Sequence, residues 1–161
     1  METLLGNRPS AAELPTDTKQ STEMHFIFGT KAETLDALQS LVRHSIVGPL
    51  LYFSVRRWRE ARDQVLDDIL HRFSNNMLVV RSSAQIEDHG GQSMAGAFTS
   101  CLNVDGTARE LVVVAIEQVI ASYDDDLDDQ VLVQPMLEQI SVSGVITTHV
   151  LDDGAPYYVI N

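Results

Sequence analysis

The chain has 161 residues, and 23 acidic against 11 basic residues give it a formal net charge of −12. This acidity argues against nucleic acid or an anionic membrane as the main partner, because both attract basic surfaces. A single cysteine, Cys101, excludes an internal disulfide framework, and no apolar run approaches the roughly 20 residues that a membrane helix needs. The N-terminus lacks the pattern of a signal peptide, so we expect a cytoplasmic protein.

Predicted helices and strands mix along the first half of the chain. Residues 1–23 show no hydrophobic period and are predicted to be a flexible leader before a domain over residues 24–161. MHFIFG predicts a short strand that ends at Gly29, and Thr30 and Glu33 form a capping-box pattern at the start of a helix. A strand in GPLLYFSV and an amphipathic helix in RRWREARDQVLDDILHRF follow.

The second half continues the mixture, which predicts an α+β or α/β class. MLVVRSS reads as a strand, and Thr107 and Glu110 predict a second capping box before a long apolar helix. QVLVQPML and SGVITTHVLDDGAPYYVIN are strand material, and the turn signal at residues 152–154 divides the second of them. Because the chain stops within a strand pattern, we expect the domain to be truncated at its C-terminus.

The stretch VVRSSAQIEDHGGQSMAGAFTSCLNV, residues 79–104, places an arginine at the end of a strand and a glycine-containing loop after it. Glycine lets backbone N–H groups converge on an anion, and arginine supplies a permanent, two-pronged donor. The pattern fits phosphate binding, or alternatively a surface loop beside a strand-capping arginine. Gly91 and Gly96 have the spacing of a P-loop, but Ala97 and Phe98 replace its lysine and hydroxyl residue, so a P-loop is rejected.

Four blocks in order, VRSSAQIED, SMAGAFTSCLNV, VLVQPML and SGVITT, resemble the nucleotide-binding domain of the phosphoenolpyruvate synthase and pyruvate phosphate dikinase family. Upstream, FGTKAETLDAL is similar to the family's early GGKG element. The resemblance extends from about residue 26 to the end and implies the N-terminal portion of an ATP-grasp-like α+β domain. It further implies an ATP-dependent phosphotransferase, in which ATP phosphorylates a histidine or another acceptor carried on a separate domain.

The resemblance also implies which residues bind the nucleotide. Lys31 and Arg81 match the family's phosphate ligands. The loop expected to close over the phosphates is matched by Ser93, Ala95 and Gly96. The segment whose backbone holds the adenine is matched by Gln134, Pro135, Met136 and Leu137. Mg²⁺ is implied together with ATP, with its ligands expected outside this chain, and the remaining domains of a longer polypeptide are the implied partners.

Several departures from the family pattern leave a second function open. Thr30 replaces a glycine before Lys31, and Ala97 and Phe98 replace two glutamines. The alternative is a non-catalytic or regulatory module that has kept the fold and binds a partner protein, or binds nucleotide weakly. On either interpretation, this chain alone is predicted to be inactive as a phosphotransferase.

Overall fold

A computed structural model describes residue 26 and the ranges 28–85, 99–150 and 152–161, so the predicted leader over residues 1–23 lies outside the described part. The described helices are α1 (Lys31–Leu41), α2 (Val55–Phe73) and α3 (Arg109–Ile120). The described strands are β1 (Leu51–Ser54), β2 (Met77–Ser83), β3 (Ser100–Asp105), β4 (Gln130–Pro135), β5 (Ile146–Thr147) and β6 (Val159–Ile160). These elements confirm the predicted mixed α+β class.

Four of the strands form one antiparallel sheet in the order β1-β4-β2-β3, and β5 and β6 form a separate two-stranded hairpin. The central strand β4 is covered on both faces, because Val131, Leu132 and Val133 are all fully buried. This two-sided burial explains why the sequence of β4 is a continuous apolar run instead of an alternating one. Within the described residues, no helix combines the length and apolarity needed to cross a membrane.

The two faces of the sheet are covered unequally. Helices α2 and α3 pack on one face, where a large core includes Leu78, Val80 and Val133. Helix α1 lies on the other face, over a small cluster of Ala32, Leu50 and Leu132. We call this second face the α1 face. Helix α1 buries one residue of its own against this face, and the part of the face toward the end of β4 is left uncovered beside a cavity.

The predicted capping box of α1 is confirmed. Glu33 N–H donates to the hydroxyl oxygen of Thr30 at 3.3 Å, and Thr30 N–H donates to Glu33 Oε2 at 3.0 Å. The strand predicted in MHFIFG is wrong for its described residues, since Phe26, Phe28 and Gly29 are not in a strand. Gly29 instead exchanges hydrogen bonds with the Thr34 side chain, so its backbone serves the start of α1.

The second predicted capping box is also wrong. Helix α3 begins after Ala108, which makes no side-chain capping bond. Thr107 is committed to Asp105, because its N–H and its hydroxyl both donate to Asp105 Oδ1, at 2.8 and 2.7 Å. This local Asx-type turn competes with the helix cap for the same threonine.

Candidate functional site

The uncovered part of the α1 face contains a cavity of about 710 Å³. This volume is within the range of about 300–1,000 Å³ that is typical of small-molecule sites. Five of the nine residues predicted to bind nucleotide line the cavity, namely Arg81, Gln134, Pro135, Met136 and Leu137. The structure therefore brings the arginine of β2 and the end of β4 together at one cavity.

Sheet register explains how Arg81 and Gln134 come to the same cavity. Arg81 lies directly opposite Leu132, and Val79 lies directly opposite Gln134. Directly opposed residues of antiparallel strands place their side chains on the same face, and alternate residues of one strand share a face. Leu132 packs in the small cluster under α1, on the α1 face. Val79, Arg81 and Gln134 therefore also lie on the α1 face.

The chain leaves the sheet at one end of the cavity. Pro135 is the last residue of β4, and Met136 N–H still donates to the carbonyl of Met77 at 2.7 Å. Strand β1 pairs with β4 only as far as Val133. From Gln134 onward, the β1 side of this segment therefore has no strand partner among the described residues.

The charges around the cavity are of one sign. Arg81 and Arg72 are the two charged residues among its described lining residues, which include no aspartate or glutamate. The Arg81 backbone is paired in the sheet, but its side chain makes no hydrogen bond or ion pair within the described part of the chain, so the guanidinium donors are available to a ligand. In a chain of net charge −12, this local excess of positive charge suits an anionic ligand.

Arg72 is a lining residue that the sequence did not reveal. The charged side of α2 reads as an ordinary solvent-facing surface, and Arg72 occupies its last turn. Its guanidinium carbon lies 5.7 Å from the centre of the Phe73 ring, a cation–π distance. Only the packing of α2 against the sheet brings this arginine to the cavity that Arg81 lines.

Lys31 is not among the cavity-lining residues, but it lies close to Arg81 in the fold. It is the first residue of α1, and its Nζ donates to the carbonyl of Ser82 at 3.2 Å. Ser82 directly follows Arg81 on β2. The structure thus places Lys31 against the end of the strand that carries Arg81.

Other predicted features fall elsewhere. The loop residues Ser93, Ala95 and Gly96 lie outside the described residues. No group of three or more His, Cys, Asp or Glu side chains in the described ranges is arranged to hold a metal ion.

Comparison with known proteins gives one match. The family model described as pyruvate phosphate dikinase, AMP/ATP-binding domain, matches residues 32–126, more than half of the chain. The matched range includes β2 with Arg81, whereas Lys31 and the segment 134–137 lie outside it. Searches of curated proteins and of solved structures found no match.

Proposed function

Because the chain belongs to the family of pyruvate phosphate dikinase AMP/ATP-binding domains, we propose that the cavity on the α1 face binds ATP. One observation carries the proposal. The cavity joins Arg81 and Arg72, two permanent cations, to an apolar wall that includes Val79 and Leu102, with no carboxylate in its described lining. A nucleotide has this same division between an apolar base and a polyanionic tail.

The adenine end of the site is assigned to the segment 134–137. Its backbone is extended around Pro135 and lacks a strand partner on the β1 side in the described structure. Backbone N–H and C=O groups that have no strand partner still need hydrogen-bond partners, and the polar edge of a base can supply them. Met136 and Leu137, with Ile140 beyond them, supply apolar contact for the ring.

The phosphate end is assigned to Arg81 together with Lys31. An arginine donates two parallel hydrogen bonds to phosphate oxygens, whereas a lysine acts as a compact point charge. In this proposal, the loop residues Ser93, Ala95 and Gly96 cover the phosphates. Mg²⁺ accompanies ATP, and its protein ligands are assigned to residues outside this chain.

The reaction served by the site is phosphoryl transfer in the cytoplasm. Transfer needs an acceptor in line with the γ-phosphate, and none of the described histidines lines the cavity. We therefore assign to this chain the holding of ATP, and to another domain the histidine or other acceptor. The remaining domains of a longer polypeptide are the corresponding partners.

A second candidate is a module that binds a partner protein. The hairpin of β5 and β6 favours it, because Ile146, Tyr158 and Ile160 on or beside these strands are 66%, 78% and 75% exposed. Apolar side chains gathered at one exposed hairpin are typical of interaction surfaces. Under this alternative, the cavity does not discriminate ATP from adenosine.

Calorimetric titration with ATP and with adenosine tests the proposal. We expect wild-type ATP binding in the high-micromolar to millimolar range, about 4–6 kcal/mol. Arg81→Ala is expected to weaken ATP binding by about 1.5–3 kcal/mol, the contribution of a charged hydrogen bond, without changing adenosine binding. Arg59→Ala, on the opposite side of the sheet, is the matched control. Equal ATP affinity in wild type and Arg81→Ala would refute the assignment.

A further inference from the structure

A closed ring of hydrogen bonds ties the start of α1 to the start of β4. The Thr30 hydroxyl donates to Gln130 Oε1 at 2.6 Å, and Gln130 Nε2 donates to Glu33 Oε1 at 2.8 Å. Thr30 N–H completes the ring by donating to Glu33 Oε2 at 3.0 Å. Thr30 and Gln130 are only 7% and 9% exposed, so the bond between them is buried, whereas Glu33 is exposed and the two bonds that it accepts are partly buried.

Both the oxygen and the nitrogen of the Gln130 carboxamide make hydrogen bonds. Its oxygen accepts from one residue and its nitrogen donates to another, so a carboxylate or an apolar side chain of similar length cannot reproduce the pair of bonds. A buried polar group that loses its partner costs more free energy than the net gain from forming the bond. The ring therefore fixes one orientation of the helix start relative to β4.

The same turn of α1 also contacts the end of β2. Ala32 N–H donates to Ser83 Oγ at 2.8 Å, and Lys31 Nζ donates to the Ser82 carbonyl at 3.2 Å. Ala32 is the only buried residue among those of α1, so apolar packing holds the helix against the sheet at one point and does little to fix its orientation about that point. The polar contacts at the first turn therefore set the position of the Lys31 side chain relative to β2.

We propose that Gln130 is a positioning residue of the nucleotide site. It holds the first turn of α1 so that the ammonium group of Lys31 and the guanidinium of Arg81 lie at a fixed separation along the phosphate chain. Charge-assisted contacts weaken when either partner moves from its place, so the effect of Gln130 reaches ATP through Lys31. This inference rests on the proposed function, because it assumes that ATP phosphates occupy the site.

The first test replaces the carboxamide by an apolar group of similar length. Gln130→Met removes two bonds of the ring, and Gln118→Met makes the same change at an exposed position of α3. We expect Gln130→Met to weaken ATP binding about tenfold and to leave adenosine binding unchanged. Gln118→Met should change neither. A merely structural role would weaken both ligands together, so the ratio of ATP to adenosine affinity is the decisive readout.

The second test exchanges the carboxamide of Gln130 and the carboxylate of Glu33. Gln130→Glu alone sets a second carboxylate against Glu33 and should weaken ATP binding as Gln130→Met does. In the double variant with Glu33→Gln, the carboxylate at position 130 accepts from both neighbours, and the amide at position 33 accepts from Thr30 N–H as in an ordinary capping box. The net charge is unchanged, and ATP affinity should return to within about threefold of wild type.

The outcomes separate this inference from the proposed function. If Arg81→Ala weakens ATP binding while Gln130→Met does not, the positioning role is overturned and the proposed function stands. Equal loss for ATP and adenosine in Gln130→Met, or no recovery in the double variant, also overturns it. If wild-type protein does not distinguish ATP from adenosine, the proposed function itself fails, and the inference fails with it.

Discussion

Leu132 is expected to contribute more to holding α1 on the sheet than any single hydrogen bond does. Its side chain is fully buried in the small cluster with Ala32 and Leu50, directly opposite Arg81. Leu132→Ala removes three carbon groups from this cluster, each contributing about 0.8 kcal/mol of transfer free energy. The lost transfer free energy is therefore about 2.4 kcal/mol, without the further cost of the cavity that the substitution leaves.

The cavity term increases this cost, although the site can partly collapse. Leu35, Val47 and Tyr52 are only partly buried around the cluster and can move inward. We therefore expect a loss of about 3 kcal/mol in the free energy of unfolding, within the usual range for buried leucine. By comparison, each neutral hydrogen bond at the start of α1 contributes about 1 kcal/mol. Packing is thus the larger stabilising effect, and the polar ring sets the geometry.

Urea denaturation followed by circular dichroism measures the loss. Leu132→Ala should lower the midpoint without changing the slope m, and thermal denaturation should show a fall in Tm of about 6–12 °C. Leu111→Ala is the control, because Leu111 is 53% exposed on α3 and should change the free energy of unfolding by less than about 0.5 kcal/mol. A loss below about 1 kcal/mol for Leu132→Ala would refute the reasoning that this cluster holds α1.

Two further predictions concern β3. The side-chain and backbone hydrogen bonds from Thr107 hold the pKa of Asp105 below its usual value, so this carboxylate stabilises the fold above about pH 4 and the contribution is lost as pH falls through the lowered pKa. Asp105→Asn should therefore lose less stability than wild type between about pH 4 and pH 2 in acid unfolding followed by fluorescence. Asn103 has φ of 56°, in the left-handed region, where the β2–β3 register shifts. Asn103→Ala should cost about 1 kcal/mol in urea denaturation and Asn103→Gly almost nothing, and equal costs would contradict this account.

The sequence determined the features that depend on neighbouring residues. The apolar stripe of α2, the apolar runs of β2 and β4, and the capping box at Thr30 are local patterns, and the structure contains all of them. The mixed α+β class was predicted from the mixture of helix and strand patterns along the chain, and the family from four ordered sequence blocks. Arg81 and the segment 134–137 were predicted as site residues in the same way, and their binding role remains a prediction.

Tertiary structure decided what depends on residues far apart in the chain. The hydrogen bond between Thr30 and Gln130 joins positions 100 residues apart, and no periodic pattern marks either one as a partner. Arg72 reads as a solvent-facing helix residue until the packing of α2 brings it to the cavity. The capping pattern at Thr107 failed because Asp105 competes for the same groups, and only geometry settles that competition. Period and propensity describe one element at a time, whereas a binding site is made where several elements meet.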